Sequence, residues 1–279
     1  MKSKKDRFFS ASLGHWIALI ICLICISACL EKEEGCLDNR ASNYDASADI
    51  ACEDCCNFPT LRLEVLHRIR DSISLIYGDL YQFSGTDSFR INQIKFYLSE
   101  LRLENDSLSE GVIDTVVVDL QDGSSTTLED NFTLVSREGG FSYTIGDYRA
   151  TGSFDRVSFY VGLTEVPNQA IPGSLPDGHE LAIQSDSLYP DDQNGYIFNR
   201  ISLVPDPETG DTVVYDIPSD RLVKVELDYP IEIELGFDVT IPLKIDYWEW
   251  LKGIDFAADP EVIEDSIVSN IAKAFSISE

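Results

Sequence analysis

The stretch "IEIELGFDVTIPLKI", residues 231–245, carries the clearest structural signal in the sequence. Every odd position from Ile231 to Ile245 is apolar and most even positions are polar, and this period of two is typical of a half-buried β-strand. The pattern predicts one long strand, or two strands joined at Gly236. Because Pro242 has no backbone N–H to donate, it predicts a sheet edge or a bulge at that point.

The same alternation appears nearer the start of the chain. In "LRLEVLHRI", residues 61–69, the alternate residues are apolar and His67 falls in the same phase, so its side chain is predicted to point inward. The stretch "INQIKFYLSELRLEN", residues 91–105, changes phase after Leu98, which predicts a β-bulge near Ser99. Further strands are predicted at residues 115–120, 132–135, 156–163 and 196–204.

The C-terminal segment contains the main predicted helix. Asp259 is a candidate N-cap and Pro260 suits a first helical turn. Apolar residues then follow at a spacing of four, and these are Ile263, Ile267, Ile271 and Phe275. Many strands, few helices and long polar loops predict an all-β fold, a β-sandwich of mainly antiparallel strands with a C-terminal helix packed against it.

The N-terminus has the features of a bacterial lipoprotein. Four basic residues precede an apolar run at residues 16–26, which has signal-peptide length and is short for a membrane span. The last residues of this segment and Cys29 resemble a lipobox, in which small residues precede a lipidated cysteine. Residues 30–34, "LEKEE", resemble the acidic export tag of Bacteroidota surface lipoproteins. We therefore predict a signal peptide at residues 1–28, acyl chains on Cys29, and a lipid-anchored protein of the outer membrane, at the cell surface. The alternative is a single N-terminal membrane helix with an incidental cysteine.

Residues 29–58 form an acidic tether followed by a cysteine-rich segment, and residues 60–279 form the predicted β domain. Four cysteines in this segment, an even number in an exported chain, predict two disulfides among Cys36, Cys52, Cys55 and Cys56, without a vicinal bond between the last two. A four-thiolate zinc site is the competing interpretation. The segment also resembles a small cysteine module of exported Bacteroidota proteins. Its Asp and Asn side chains could ligate Ca²⁺, but the absence of EF-hand spacing favours Asx turns.

The acidic composition and the missing catalytic motifs limit the functions that the chain can have. The chain has 279 residues, with 21 Lys and Arg, 49 Asp and Glu, and a formal net charge of −28. Such a surface repels phosphate backbones, so nucleic acid is excluded as a partner. No serine elbow, H-E-x-x-H or phosphate-loop motif is present in the sequence. We therefore predict that the protein is not an enzyme.

Several stretches, in order, resemble the MbnP-like family of copper-associated exported proteins. They are "INQIKFYLSELRL", "YRATGSFDRVSFYVGL", "NGYIFNRISL" and "IDYWEWLKGIDF…SNIAKAF". The resemblance covers residues 60–277 and implies a β-sandwich of that type. In that family copper is bound by histidines and by a tryptophan oxidised to kynurenine, and an exported dihaem peroxidase partner performs the oxidation. The resemblance therefore implies copper as a ligand and an exported protein as a partner.

Two features of the family can be compared with this sequence. His67 lies in the first strand, where family members often carry a histidine, and an imidazole suits copper. His179 could add a second imidazole if its loop folds towards that strand. The family pattern M-x-W-x-W-x-x-G-Y is broken, because Pro190 and Asp192 stand where tryptophans would be. No kynurenine can form at those two positions.

A second functional hypothesis is an interaction or adhesion module that binds a protein or glycan without metal. Tyr189 and Trp250 are the candidate ligand-binding residues of this hypothesis, as parts of an aromatic platform with Trp248 and Tyr196. The alternate spacing of Trp248 and Trp250 predicts that both lie on one strand face. Ordinary core packing is the competing role for each of these rings.

Overall fold

The computed structural model describes residues 32–84, 87–182, 188–190, 195–208 and 210–278. The predicted signal segment and Cys29 lie outside the described residues, so their roles stay predictions. The chain divides into two compact units, Met1–Asn57 and Phe58–Glu279. In the described part, no helix is both long enough and apolar enough to cross a membrane.

The described residues form short and long strands in both units. In chain order they are β1 (Glu34–Gly35), β2 (Ile50–Ala51), β3 (Thr60–Ile69), β4 (Ile73–Ser74), β5 (Leu80–Ser84), β6 (Asp87–Glu104), β7 (Ser109–Glu110), β8 (Thr115–Asp119), β9 (Ser125–Glu129), β10 (Phe132–Ser136), β11 (Ser142–Asp147), β12 (Gly152–Val161), β13 (Asn199–Val204), β14 (Val213–Ile217), β15 (Val223–Ile233), β16 (Val239–Asp246) and β17 (Phe275–Ile277). The helices are α1 (Glu165–Asn168), α2 (Tyr247–Leu251) and α3 (Pro260–Ile271), with 3₁₀ turns at Pro172–Ser174 and Ala272–Ala274.

The first unit is held by the short parallel pair β1–β2 and by two disulfides. Cys36 is bonded to Cys56 and Cys52 to Cys55, which confirms the prediction of two non-vicinal disulfides. The carboxylate of Asp45 accepts hydrogen bonds from the backbone N–H and the hydroxyl of Ser47. This confirms an Asx turn at one of the oxygen-rich positions.

The second unit is a sandwich of two sheets. The larger sheet has the order β14-β13-β6-β12-β15, with β5, β7 and β10 pairing elsewhere along β6, and all its pairs are antiparallel. The smaller sheet has the order β11-β3-β16-β17, with β4 also paired to β3. In this sheet β3 and β16 are parallel. The main hydrophobic core contains the buried alternate residues of both sheets, such as Leu63, Ile241 and Phe159.

The stretch at residues 231–245 forms two strands that belong to different sheets. β15 lies at an edge of the larger sheet and β16 inside the smaller one, and Gly236, with φ of 80°, lies in the turn between them. This confirms the alternative of two strands joined at Gly236. Leu235 and Phe237, in the turn, are 47% and 64% exposed, so the alternating pattern does not mark a buried face there. The bulge predicted at Pro242 is wrong, because β16 pairs with β3 in unbroken register. The predicted edge is confirmed on the other side of β16, where β17 pairs only with Leu243–Ile245 and Pro242 takes part only through its carbonyl, which accepts from the Ser278 N–H.

The predicted bulge near Ser99 is confirmed. Tyr160 of β12 faces Ser99, whereas Ser158 faces Arg102, so β6 has one extra residue there. The side chain of Asn131 fixes this bulge, because it accepts a hydrogen bond from the Leu101 N–H and donates one to the Leu101 carbonyl, at 3.1 and 3.0 Å.

The C-terminal helix is confirmed, with two corrections nearby. α3 buries Ile263, Ile267 and Ile271, but the spacing of four does not extend the helix to Phe275, which begins β17 and is buried there. Trp248 and Trp250 lie on α2 and not on a strand. Because the Asp246 side chain accepts a hydrogen bond from the Trp248 N–H, it caps α2 and ends the alternating strand pattern.

Candidate functional site around His67

His67 lies in β3 with only 2% of its surface exposed, as its phase in the sequence predicts. Its ring is stacked on that of Tyr247, with 5.8 Å between centroids and 5° between planes. The His67 Nδ1 and Tyr247 Oη atoms are 2.7 Å apart, within hydrogen-bond distance. The parallel register explains this contact, because His67 lies opposite Ile245 and α2 begins directly after β16.

Tyr247 continues the stack towards the centre of the core. Its ring lies 5.6 Å from that of Trp250, with 19° between planes. Trp250 in turn contacts the rings of Phe96 and Phe275, at 5.2 and 5.7 Å. His67, Tyr247 and Trp250 therefore form one buried aromatic stack, which we call the His67 stack.

The turn between β10 and β11 covers the outer side of His67. Phe141 lies 6.3 Å from the His67 ring, centroid to centroid, and its carbonyl accepts a hydrogen bond from the Val65 N–H at 2.6 Å. The guanidinium of Arg137 lies 4.8 Å above the Phe141 ring, and its Nε donates to the Leu75 carbonyl at 3.0 Å. Gly140, with φ of 104°, has a backbone conformation that favours glycine at this turn.

Burial lowers the pKa of His67 to about 4, and the positive charge of Arg137 acts in the same direction. The Gly140 backbone favours the charged form and offsets part of this shift. Desolvation also raises the pKa of Tyr247 well above its ordinary value. At neutral pH the neutral imidazole of His67 is therefore hydrogen-bonded to the neutral phenol of Tyr247.

The second ring nitrogen of His67 has a different environment. Among the described residues, its Nε2 atom is buried and has no well-formed hydrogen bond, and the Gly140 backbone is the polar group that acts on the ring from the covering turn. A ligating histidine is neutral, and its non-ligating nitrogen is held by a hydrogen bond. When Nδ1 carries the proton and donates to Tyr247, His67 meets both conditions and leaves the Nε2 lone pair free.

His179 does not join this site by any contact in the described residues. Its Nε2 lies 3.0 Å from an oxygen of Asp130, and its Nδ1 accepts a hydrogen bond from the Leu181 N–H at 3.1 Å. Both ring nitrogens are therefore occupied, and neither partner contacts His67. The predicted convergence of two imidazoles has no support in this geometry, although residues 183–187 of the same loop lie outside the described part.

The predicted aromatic platform needs correction. Trp250 is completely buried, and Tyr196 is 1% exposed, so neither ring can meet a partner at the surface. Tyr189 is half-buried against Tyr196, with 4.8 Å between the ring centroids. These rings pack in the hydrophobic clusters of the second unit, where the burial of their large apolar area stabilises the fold.

Among the described residues, side chains of the types that bind metals cluster in the first unit. There the sulfur atoms of Cys52, Cys55 and Cys56 lie within 4.8 Å of one another, and all three are in disulfides. In the same described part, no cluster of three or more His, Cys, Asp or Glu ligand atoms includes His67 or His179.

Sequence reasoning missed the residues that define the surroundings of His67. Tyr247 is 180 positions from His67 in the sequence, and no local pattern connects them. Arg137 and Phe141 flank two adjacent glycines, and this Gly-Gly pair was a usable signal for a tight turn. Which strand end that turn would cover depends on the pairing of β11 with β3.

The second unit matches a family of known proteins. A family model described as MbnP matches residues 59–265, a range that begins just before β3 and ends within α3. Among solved structures, MbnP from Methylosinus trichosporium is similar over 69% of this chain and 76% of that chain, with 14% identity and a TM-score of 0.39. No curated protein matches the chain.

Proposed function

The chain belongs to the MbnP family, and from this premise we propose that it is a lipid-anchored, non-catalytic binding protein of the outer membrane. It binds copper, and His67 coordinates the metal. The observation that carries the copper proposal is the free, buried Nε2 atom of a neutral imidazole. The observation that carries the anchor is the lipobox-like sequence that ends at Cys29.

The surroundings of His67 keep its imidazole in the neutral form that a copper ion requires. Among the described residues, Nε2 has no well-formed hydrogen bond, so a metal there would displace only the weaker interaction with the Gly140 backbone. Tyr247 can fix the proton on Nδ1. No cluster of three or more described His, Cys, Asp or Glu ligand atoms includes His67, and His67 is the one copper ligand that we assign. We therefore expect weaker binding than at a site with several protein ligands.

Access to Nε2 requires a local movement of the covering turn. Phe141, which contacts Arg137, lies 6.3 Å from the imidazole between ring centroids, and Gly139 and Gly140 precede Phe141 in the same turn. Glycines adopt many backbone conformations at low steric cost. Opening the turn breaks the hydrogen bonds from the Val65 N–H to the Phe141 carbonyl and from Arg137 to the Leu75 carbonyl, while β10 and β11 keep their pairing with β6 and β3.

Copper titration of the chain from Leu30 onwards is the first test. The parent chain is expected to bind one Cu²⁺, and His67→Ala is expected to bind none at that site. Tyr247→Phe removes the partner of Nδ1 and is expected to weaken binding by about 10–100-fold. Calorimetric titration, with near-ultraviolet circular dichroism to check folding, measures all three proteins.

His179→Ala is the matched control for this titration. Both ring nitrogens of His179 are already occupied, so copper binding is expected to stay within twofold of the parent value, which is about 0.4 kcal/mol. Equal binding by the parent and a folded His67→Ala variant would disprove the role of His67.

The lipid anchor is tested by Cys29→Ala. The parent protein is expected in the outer-membrane fraction and in the detergent phase after phase separation. The variant is expected to lose its acyl chains, which the mass of its N-terminal peptide measures, because no other residue in the lipobox can accept them. Cys25→Ala, four positions upstream in the apolar run, is the control and is expected to remain anchored. An N-terminal peptide of Cys29→Ala that still carries acyl chains by mass spectrometry would contradict lipidation at this residue.

A further inference from the structure

A cleft of about 270 Å³ lies in the second unit, beside the bulge of β6. Most of its wall is apolar and comes from β9, β10 and α1, through the side chains of Leu128, Phe132, Val166 and Pro167. Its volume is just below the range of roughly 300–1,000 Å³ for pockets that hold drug-sized ligands. The cleft therefore has room for one small ligand or for a single side chain of a larger partner.

The bulge of β6 brings a carboxylate to this cleft. Glu100 has φ of 51°, a left-handed conformation that residues with a Cβ rarely adopt, and its N–H donates to the Asn131 carbonyl at 3.0 Å. The Asn131 side chain holds the next residue, Leu101, by two further hydrogen bonds. Bulges often redirect a side chain, and a strained backbone is often retained where it serves a site. Here the strained conformation places Glu100 in the wall of the cleft.

The Glu100 carboxylate is held at one of its two oxygens. The Thr164 hydroxyl donates to Oε1 at 2.9 Å, whereas Oε2 forms no hydrogen bond with any other residue in the part of the chain that the structure describes. Thr164 also lines the cleft and lies between β12 and α1. The carboxylate is therefore oriented before a ligand arrives, and one of its oxygens is available to accept a hydrogen bond from that ligand.

The charges in the cleft favour a cation. Its ionisable lining residues are Glu100, Glu129 and Arg102, two carboxylates and one guanidinium with a formal net charge of −1. Arg102 donates to Glu129 at 2.5 Å, so the guanidinium is already paired, and Glu100 has no cationic partner among the described residues. A hard metal ion such as Ca²⁺ takes six to eight oxygen ligands, which this mostly apolar wall does not offer.

We propose that the cleft binds an alkylammonium group, with the ammonium at Glu100 and the carbon chain on the apolar wall. An ammonium group has three N–H donors, and its methylene chain packs on apolar surface while the charge stays at the polar end. The same group occurs in a free amine and in a lysine side chain of another protein, and the net charge of −28 attracts both. No residue of the cleft belongs to the His67 site, so the proposal is independent of copper binding.

Titration with n-pentylamine tests the proposal, with the amide NMR signals of the isotope-labelled chain from Leu30 onwards as the readout. We expect saturable shifts at the residues of the cleft and none from n-pentanol, which has the same carbon chain and no charge. The peptide acetyl-Gly-Lys-Gly-amide is the second arm of the experiment. Tighter binding of the peptide than of the amine would identify a lysine of a protein partner as the source of the group, and the reverse would identify a free amine.

Two variants that remove the same charge separate this site from general attraction to an acidic surface. Glu100→Gln retains a side chain that can bond to Thr164 and is expected to weaken pentylamine binding by about tenfold or more. Glu165→Gln removes an exposed carboxylate beside Thr164 that does not line the cleft, and it is expected to bind within twofold of the parent. Equal affinities for the two folded variants, equal binding of n-pentanol, no saturable shifts in the parent, or saturable shifts at these residues from Ca²⁺ alone would overturn the proposal.

Discussion

Replacing Trp250 by alanine is expected to lower the free energy of unfolding of the second unit by about 3–5 kcal/mol. Trp250 has no exposed surface and is the largest of the fully buried side chains. Its ring contacts Tyr247, Phe96 and Phe275, which belong to α2, the larger sheet and the smaller sheet. The cavity left by alanine would therefore remove contacts from both sheets at once.

Urea unfolding followed by circular dichroism measures this loss. Small domains are stable by about 5–15 kcal/mol, so the variant remains measurable only if the parent lies in the upper part of that range. Trp250→Phe keeps an aromatic ring in the same place and is expected to lose less, which provides a second, better-folded variant.

Trp248→Ala is the matched control on the same helix. Trp248 is half-buried and lies under the guanidinium of Arg70, at 4.1 Å. Its removal exposes a surface that water can fill, so the loss is expected to be clearly smaller than for Trp250. Similar losses for the two variants would show that Trp250 does not connect the sheets as its contacts indicate.

The sequence predicted much of the sandwich because alternation survives where one strand face is buried. β3, β16 and the bulge after Ser99 follow directly from the phase of the apolar residues. The same pattern continues through Leu235 and Phe237, although both are exposed. Hydrophobicity alone does not distinguish a strand residue from an apolar residue in a turn, and Gly236 was the better guide to the strand boundary.

The candidate site could be predicted only in part. The phase of β3 placed His67 inside, but its partner Tyr247 depends on the parallel pairing of β3 with β16, and alternation carries no information about which strands pair. The spacing of Trp248 and Trp250 fitted a strand as well as it fitted two residues of a short helix. Asp246 was the distinguishing signal, because a side chain that accepts a hydrogen bond from the residue two positions on begins a helix.

The proposed copper site and the hydrogen bond to Tyr247 depend on the same proton. Copper at Nε2 requires the proton on Nδ1, so Tyr247 must accept that hydrogen bond. Protonation of both nitrogens would compete with the metal. Because burial holds the pKa of His67 at about 4, this competition is absent at neutral pH. The burial that keeps the imidazole available for copper also has a cost for the folded state in acid.

Acidification is expected to destabilise the metal-free second unit through His67. An unfolded histidine has a pKa near 6.5, whereas the folded-state pKa is about 4. Between these values, the unfolded chain takes up a proton that the folded chain does not, so the free energy of unfolding falls as the pH falls. Above about pH 6.5 His67 does not lower the free energy of unfolding, and by pH 4 its protonation in the unfolded chain lowers that free energy by about 3 kcal/mol.

Comparison with His67→Gln isolates this effect. Glutamine does not titrate, and its amide can still form a hydrogen bond with Tyr247. Burial also raises the pKa values of Glu180, Asp147 and Glu264, and these carboxyls stabilise the folded state as the pH falls. Because they are unchanged in the variant, the difference between the two proteins reports His67 alone.

The measurement is urea unfolding from pH 7.5 to pH 4 with a chelator present. The difference in stability between parent and His67→Gln is expected to change by about 3 kcal/mol across this range, in the direction that disfavours the parent in acid. Arg137 contributes to the lowered pKa, so Arg137→Gln should reduce the slope without removing it. Parallel curves for the parent and His67→Gln would mean that folding does not lower the pKa of His67. Protons would then compete with copper for Nε2 in mildly acidic solution, and burial would not keep the imidazole available for the metal.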